Sequence, residues 1–577
     1  MSPTRLLQYF EQISEAPDPM PRLRQFILDL AVRGKLVEQD PGDEPASELL
    51  KRIEADKNRL AKDGVINTPK AMTSFDQTEG LFDLPGSWQW IRLAEVGSVV
   101  GGGTPPSKDS ACFTEGGKGV AWLTPADLGR QKCLLVSHGE RDLTEKGVAS
   151  SSAQLMPAGS VLFTSRAPIG YTAIAANEIS TNQGFKSVVP FVMESNRYIA
   201  VYFRAFATWI DGKASGTTFK EVSGKIVANL PFPLPTLAEQ HRIVAKVDEL
   251  MALCDELEAA QAKRERRRDR LVAATLHGLN NGDENAEPGT RATFEGSARF
   301  YCNHLPRLTT RPEHIRQLRQ TILNLALRGK LIPQDPNDEP IAVLLKRVAQ
   351  EKERRIEEGN GNRRHWVPPK IDASTLPSLP GSWGWVRVQD VVCVVTVGHV
   401  GPTANRYKNN GIPFLRSQNV RPNRFEPIGL AFIDEVFHAE LRKSELSGGD
   451  VVIVRSGNVG VSCVVPDWLG RANCADLVIV KGPIGIDSRF LCYYLNSITD
   501  SRIQAGKVGI ALSHFNTKSV AFLAVPLPPL AEQQRIVAKV DELLALCDEL
   551  ESRLTTTATT RRQLREAVLH EALEGDS

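Results

Sequence analysis

Six polar side chains fall within fourteen residues of one stretch, FLRSQNVRPNRFEP at 414–427: Arg416, Gln418, Asn419, Arg421, Asn423 and Arg424, with a single acid among them. Arginine can hold guanine through two parallel hydrogen bonds, asparagine and glutamine can do the same to adenine, and all three also bind phosphates. The chemistry on offer is recognition of a nucleic acid, not bond making. A second set of donors lies earlier in the chain: Asn182, Gln183 and Lys186 in ISTNQGFKS at 179–187, then Lys213, Ser215, Thr217, Thr218 and Lys220 in GKASGTTFKEVSG at 212–224. Arg166 and Arg455 lie at the turns of two strand-turn-strand patterns, with Asn458 just beyond the second, and Lys507, His514, Asn516 and Lys518 complete the later set. Any one of these clusters has the composition of an ordinary solvated loop. What gives them weight is that they come as a pair.

Catalytic patterns are missing. Gly-Lys pairs such as Gly34-Lys35-Leu36 and Gly224-Lys225-Ile226 lack the Ser or Thr of a phosphate loop, and the Gly101-Gly102-Gly103 run precedes Thr-Pro-Pro and reads as a turn. There is no [ND]-P-P-[YF] tetrapeptide of the kind amino-methyltransferases use, and no nuclease carboxylate-lysine set. The nine cysteines are scattered, with no CxxC pair and no Cys/His cluster, so they read as reduced thiols and no metal site is expected. His399, His438 and His514 read as surface or core residues and not as ligands. If the chain serves an enzyme, other chains do the chemistry.

The elements that must position the polar clusters come from a duplication. LRQFILDLAVRGKLVEQDPGDEP at 23–45 returns as LRQTILNLALRGKLIPQDPNDEP at 318–340, identical at 17 of 23 positions in a register of 295. LPGSWQW at 84–90 returns as LPGSWGW at 379–385. LPTLAEQHRIVAKVDELMALCDELE at 234–258 matches LPPLAEQQRIVAKVDELLALCDELE at 527–551 at 22 of 25 positions, now in a register of 293. Between these elements stand two inserts, about 91–230 and 386–523, that share an outline but no comparable identity. Scaffold, insert, scaffold is repeated twice.

Helical periodicity identifies the scaffold. Ile243, Val247, Leu250, Cys254 and Leu257 fall at alternating spacings of four and three, as do Ile536, Val540, Leu543, Cys547 and Leu550, so each set reads as a coiled-coil seam with packed thiols. The Pro-rich segments LPFPLPTLAEQ and VPLPPLAEQ cannot continue a helix and mark the junction ahead of each seam. The first pattern predicts one helix of about 40 residues from Leu237 to Leu276, roughly 60 Å long. RERRRDR at 264–270 reads as its solvated face, and Gln261, Arg264 and Arg268 interrupt the seam. Leu23, Phe26, Ile27, Leu30 and Ala31 define a shorter helix that stops at Gly34, and Glu48 to Leu60 defines another. Each insert is expected to hold strand-turn-strand units at 160–175 or 450–465, followed by a helix near 197–210 or 490–503. The expected division is 1–90 helical scaffold, 91–233 first insert domain, 234–279 long helix, 280–298 linker, 299–385 second scaffold segment, 386–526 second insert domain, and 527–577 second long helix. The fold class is α+β.

Charge divided by region adds a lean toward nucleic acid. The chain carries only +2, but residues 91–230 hold 14 Lys+Arg against 11 Asp+Glu and residues 386–525 hold 15 against 11, so basic inserts are carried on a scaffold of about −5. With 41% hydrophobic and 24% charged residues and no run of about 18 apolar residues, the expectation is a soluble, cytoplasmic, multidomain protein with no membrane partner.

With the duplicated LAEQ…DELE helices and the SRAPIGYTAI and NQGFKS stretches at 165–187, the chain resembles the specificity subunit of type I restriction-modification enzymes along nearly its whole length. The resemblance implies two target-recognition domains in pseudo-twofold arrangement. They would read the halves of a bipartite, asymmetric site in double-stranded DNA, on long antiparallel coiled-coil helices whose length sets the gap between the halves. It also implies partners: two methyltransferase subunits with S-adenosylmethionine that modify adenine, and restriction/translocase subunits that use ATP and Mg. This chain itself would hold no cofactor. The competing reading is a coiled-coil interaction scaffold without nucleic-acid binding. A self-contained restriction or methyltransferase enzyme is the other alternative, and the missing motifs speak against it.

Overall fold

The computed structural model describes residues 19–574, apart from 63–74, 77–78, 132, 167, 216–219, 282–292, 359–369, 373, 375 and 506–515. The chain divides into two units, Met1–Lys263 with Ala558–Ser577, and Arg264–Thr557. Both boundaries fall inside the two long helices, Leu237–Asn281 and Leu530–Glu574, of 45 residues each. Each unit therefore takes the first stretch of one long helix and the last stretch of the other. The first helix outruns the expected end at Leu276, and Thr293 caps a further helix, Phe294–Leu308. Of the expected linker at 280–298, only 282–292 lies outside the described residues. No helix among the described residues is long and apolar enough to cross a membrane.

The Pro-rich junctions become two-stranded ribbons. Pro231–Leu234 pairs antiparallel with Gln89–Arg92, and Ala524–Leu527 with Gly384–Arg387. Proline lacks the ladder N–H, which a ribbon with two edges tolerates and a central strand would not. Each ribbon ties the start of an insert to its end and hands the chain to a long helix.

The inserts share a framework despite their unlike sequences. In the first, the strand order is Gly97–Gly101, Lys186–Pro190, Val161–Ser165, Ile169–Ala175 and Leu135–Val136; in the second it is Val392–Val397, Leu477–Pro483, Val451–Val454 and Ser462–Val464. Beside each sheet lies a short parallel pair, Trp122–Leu123 with Ser180–Thr181 and Ile412–Leu415 with Asn473–Cys474. The helix expected in each insert is present, Asn196–Asp211 and Ser488–Ala505. A tyrosine on each reaches its own ribbon: Tyr202 Oη donates to Pro231 O at 2.9 Å, and Tyr494 Oη to Ala524 O at 2.7 Å.

The apolar stripes of the long helices are packed, but each within the core of its own unit. Ile243, Val247 and Cys254 are buried in the first core, with Leu250 and Leu257 against it; Ile536, Val540 and Cys547 are buried in the second, with Leu543 and Leu550 against it. Polar pairs show what lies alongside. Arg24, on Pro19–Val32, bonds Asp255 and Glu258 at 2.6 Å, and Arg319, on Pro312–Leu327, bonds Asp548 and Glu551 at 2.6 and 2.8 Å. Spacings of three and four mark any helix packing face, so they do not by themselves specify a two-helix seam.

Gly34 and Gly329 explain why the RGKL segment is repeated. Both have φ +67, in the left-handed region that closes a helix, and the N–H two bonds on reaches back to the last turn, Lys35 to Leu30 O at 3.0 Å and Lys330 to Leu325 O at 2.9 Å. A Cβ on either would lie 2.4 Å from Cγ of Pro85 or Pro380, in the LPGSW loops. Gly34→Ala is expected to cost unit 1 roughly 1–3 kcal/mol through backbone strain, read as lost amide protection in 19–32 and 84–92, and Gly329→Ala to do the same in unit 2. Unchanged protection would remove this role from the glycine.

Candidate nucleic-acid interface

In the first insert, backbone pairing gathers three segments that are distant in sequence. Ser165 N donates to Gly184 O at 2.8 Å, Val222 N donates to Ser165 O at 3.0 Å, and Ser215 and Glu221 bond each other reciprocally. Arg166, the loop at 182–186 and the residues Ser215, Glu221 and Val222 are thereby brought together. Glu221 is the acid among them: Lys186 Nζ lies 3.1 Å from its carboxylate and Arg166 Nη1 3.9 Å. These two cations are held in place by a shared counterion, which reduces what they can offer to phosphate. Asn182 Oδ1 accepts from Gly184 N at 2.8 Å, so that end of its amide serves the turn. Gln183 is exposed and accepts from Thr104 Oγ1. Lys213 Nζ stands 4.2 Å over the Trp209 ring, and Ser215 and Lys220 are exposed. Thr217 and Thr218 lie outside the described residues. The triple glycine is more than the expected turn: a Cβ on Gly102 would lie 1.9 Å from Asn182 O, so the run permits close passage of the 182–186 loop.

The second insert repeats the theme with other residues. Arg455 lies 3.2 Å from Asp476, and Ser456 Oγ donates to the same carboxylate at 2.9 Å. Asn458 is exposed at the tip of that turn. Arg416 reaches the same region, since Ala475 N donates to Leu415 O at 3.0 Å. Its guanidinium lies 5.3 Å from the centre of the Tyr407 ring and donates to Gly429 O at 2.7 Å, which Gln418 Nε2 also bonds at 2.9 Å. Arg421 and Arg424 pair across a tight hairpin and are exposed; Arg424 lies 3.3 Å from Glu426, while the Arg421 side chain has no partner among the described residues. Lys518 lies 5.7 Å from the Phe522 ring centre. Lys507 and His514 lie outside the described residues.

Three of the expected readers carry structural hydrogen bonds. Asn419 is 0% exposed; its amide donates to Glu426 O at 2.9 Å and accepts from Arg416 N at 3.0 Å. Asn423, at φ +59, turns its side chain inward to accept from Asn496 Nδ2 at 2.7 Å. Asn516 caps the helix Thr517–Phe522, accepting from Ser519 N at 2.8 Å. Asn419→Ala is expected to destabilise unit 2 by about 1–3 kcal/mol, the cost of orphaning buried backbone groups. Gln418→Ala is expected to leave the melting temperature in place and to weaken DNA discrimination. Reversed outcomes would exchange their roles.

Residues that the sequence does not single out also matter. Glu221 and Asp476 lie against the arginine tips, but each is separated from its partner in sequence by several intervening elements. An exposed Trp468 stands edge-on to Phe425 at 5.7 Å, beside a cleft of about 340 Å³ that Arg424, Arg489 and Tyr493 also line.

The duplicated motifs build the mount. Glu239, of the first LAEQ, is buried and accepts from Trp88 Nε1 at 2.7 Å and Gln39 Nε2 at 2.5 Å; Glu532 accepts from Trp383 Nε1 at 3.0 Å and Gln334 Nε2 at 2.6 Å. Burial pushes both carboxyls above their ordinary range. Alongside, Arg242 clamps Asp43 and Arg535 clamps Asp338 through two hydrogen bonds each, and the Arg242 contact holds the Asp43 carboxyl below the usual range. The same joint thus fixes ribbon to helix in both units.

Among the described residues no group of three His, Cys, Asp or Glu is placed to hold a metal. Burial pushes the thiols of Cys463 and Cys474 up, and that of Cys492 to about 12, which removes the thiolate a nucleophile needs. What the sites offer is hydrogen bonding and charge.

Comparison with known proteins bears on this arrangement. The family model described as type I restriction modification DNA specificity domain matches residues 85–265 and 380–559, each match opening at an LPGSW loop and ending within a long helix. The Escherichia coli type I restriction enzyme EcoEI specificity subunit is 30% identical, over 96% of this chain and 93% of that protein. The EcoAI specificity subunit of the same organism is 28% identical, over 96% and 93%. Among solved structures, the HsdS subunit from Thermoanaerobacter tengcongensis is 20% identical over 87% of this chain and 100% of that one, with a TM-score of 0.41.

Proposed function

This chain belongs to the type I restriction-modification DNA specificity family, and from that premise we propose that its two inserts read the two halves of one bipartite, asymmetric target in double-stranded DNA. Its role is sequence specificity, and the catalytic activities lie on partner subunits. The observation that carries the two-half reading is the repetition of one sheet order on one joint with unlike polar loops. An identical mount with different readers suits two different half-sites. Pseudo-twofold inserts suit the opposed strands of a duplex, and the two long helices, packed as an antiparallel coiled coil, would set the gap between the halves.

The partners follow from the same family: two methyltransferase subunits that transfer methyl groups from S-adenosylmethionine to adenine, and restriction/translocase subunits that use ATP and Mg, all in the cytoplasm. Two equivalent docking faces would serve the two methyltransferases. Exposed side chains of the long helices support this, because they are the same in both copies although no packing demands it. Ala245, Glu249, Ala252, Leu253 and Glu256 return as Ala538, Glu542, Ala545, Leu546 and Glu549, with Leu253 49% and Leu546 50% exposed. Leu253→Lys is expected to weaken binding of one methyltransferase subunit about tenfold and leave the other, and Leu253→Lys with Leu546→Lys to weaken both, read by native mass spectrometry of the assembled complex. Retention of two subunits by the double variant would move the docking face elsewhere.

The proposal is tested by selecting targets from random duplexes with the chain and its methyltransferase partner, and by reading the methylated-adenine motif of modified DNA. A two-part motif with unlike halves is the expected result, with affinity falling steeply as salt rises. No sequence preference would overturn the reading.

A further inference from the structure

A lone exposed aliphatic side chain is unremarkable on any protein surface. Ile428 differs in its setting. It is 78% exposed, at the apex of the turn Pro427–Leu430, which closes through Leu430 N to Pro427 O at 3.1 Å with Gly429 at φ +70. The turn is braced from both sides. Asn419 Nδ2 holds Glu426 O at 2.9 Å, Ile428 N donates to Glu426 Oε1 at 3.3 Å, and Gly429 O accepts from both Arg416 and Gln418. A β-branched side chain is stiff about χ1, and here its backbone is pinned as well. A rigid apolar tip is therefore presented directly beside a half-buried arginine and an exposed glutamine, both bonded to the carbonyl of the next residue.

In the major groove, polar acceptors and donors alternate with one apolar feature, the 5-methyl of thymine, and apolar side chains recognise it by contact. Resting on the DNA reading above, we propose that Ile428 is a specificity-determining residue of the second insert, packing on the 5-methyl group of a thymine while Arg416 and Gln418 bond the neighbouring edge or phosphate. A wedge between base steps would act differently, from the minor groove, and would not sense the methyl.

Replacing thymine by deoxyuracil removes that methyl and nothing else. With the complete complex and its selected target, each thymine of the half-site read by the second insert is replaced in turn, on either strand, and binding is measured for the natural chain, Ile428→Ala and Ile428→Val. One replacement is expected to weaken the natural complex roughly fourfold, the worth of burying one methyl. Ile428→Ala is expected to weaken binding to the unmodified target at least as much and to become indifferent to that one replacement, while Ile428→Val stays sensitive. Equal uracil sensitivity with and without Ile428, no effect of Ile428→Ala, a half-site without thymine, or lost methyltransferase binding in the variant would each overturn the inference while leaving the DNA reading in place. Loss of all sequence preference in the natural complex would instead overturn that reading.

Discussion

A chain whose residues 386–523 are replaced by the insert of another specificity subunit is expected to direct methylation to a motif with one half replaced and the other retained. The ribbon makes this possible: Gly384 faces Leu527 and Arg387 faces Ala524, so the insert leaves and rejoins the scaffold on neighbouring strands about 5 Å apart. A cassette with such close ends can be exchanged without moving the helix beyond it. The incoming insert must keep the contacts that cross from it to the scaffold. Among them are Tyr494 to Ala524 O, Arg489 to Asp541 at 2.5 Å, Tyr493 to the same carboxylate, and the bonds of Gln533 to Asp487 N at 2.7 Å and Gly485 O at 3.1 Å. At about 1–3 kcal/mol for each altered base pair, a half-site changed at three positions shifts preference by a factor on the order of 10² or more. Within the same half-site, Arg421→Ala is expected to act in miniature. Sequencing the methylated motif decides the matter, and a change in both halves, or in neither, would contradict independent inserts.

The duplication made much of this architecture legible. Two registers, 295 and 293, delimited the inserts, and the repeated Trp88 and Trp383, Glu239 and Glu532 proved to be one joint built twice. The common sheet order of the inserts was not legible, because backbone pairing is indifferent to side chains that have diverged. Asn419 and Asn423 show a second limit. Their types and neighbours match those of base readers, but Asn419 bonds the backbone of its own turn, at Arg416 N and Glu426 O, and Asn423 bonds Asn496 on a distant helix. Local composition cannot tell an amide turned outward from one turned in. The periodic stripe from Ile243 to Leu257 lies in or against the first core, but period alone does not name the surface that buries it. Arg166 and Arg455 were placed at the two tips, while Glu221 and Asp476, which restrain them, became visible only when the chain folded back.

A chain ending at Thr557 is expected to lose the helical end of unit 1 and to spare the corresponding part of unit 2, although the deletion lies hundreds of residues from the first insert. Unit 1 includes Ala558–Ser577. Phe26 and Leu569 are both buried, in a cluster with Leu23, Leu30 and Leu573, and Lys35 Nζ donates to Leu573 O at 2.8 Å. Arg22 also pairs with Glu566 at 3.2 Å, but both side chains are about half exposed, and such a pair contributes little. The apolar contact decides the outcome. Re-exposing Phe26 and losing the burial of Leu569 remove about 2–3 kcal/mol each, enough to unfasten a short helix that depends on tertiary support. Amide exchange is expected to rise sharply in Pro19–Val32 and to stay low in Pro312–Leu327, whose polar anchors on the second long helix, Asp548 and Glu551, precede the cut. Recognition is expected to weaken first for the half-site of the first insert, because Gln25, on the loosened helix, bonds Ala205 O of the insert helix at 2.9 Å. Leu569→Ala is the milder form, worth roughly 2–5 kcal/mol. Equal protection of both helices after truncation would show that the last stretch of the chain is not part of the support of unit 1.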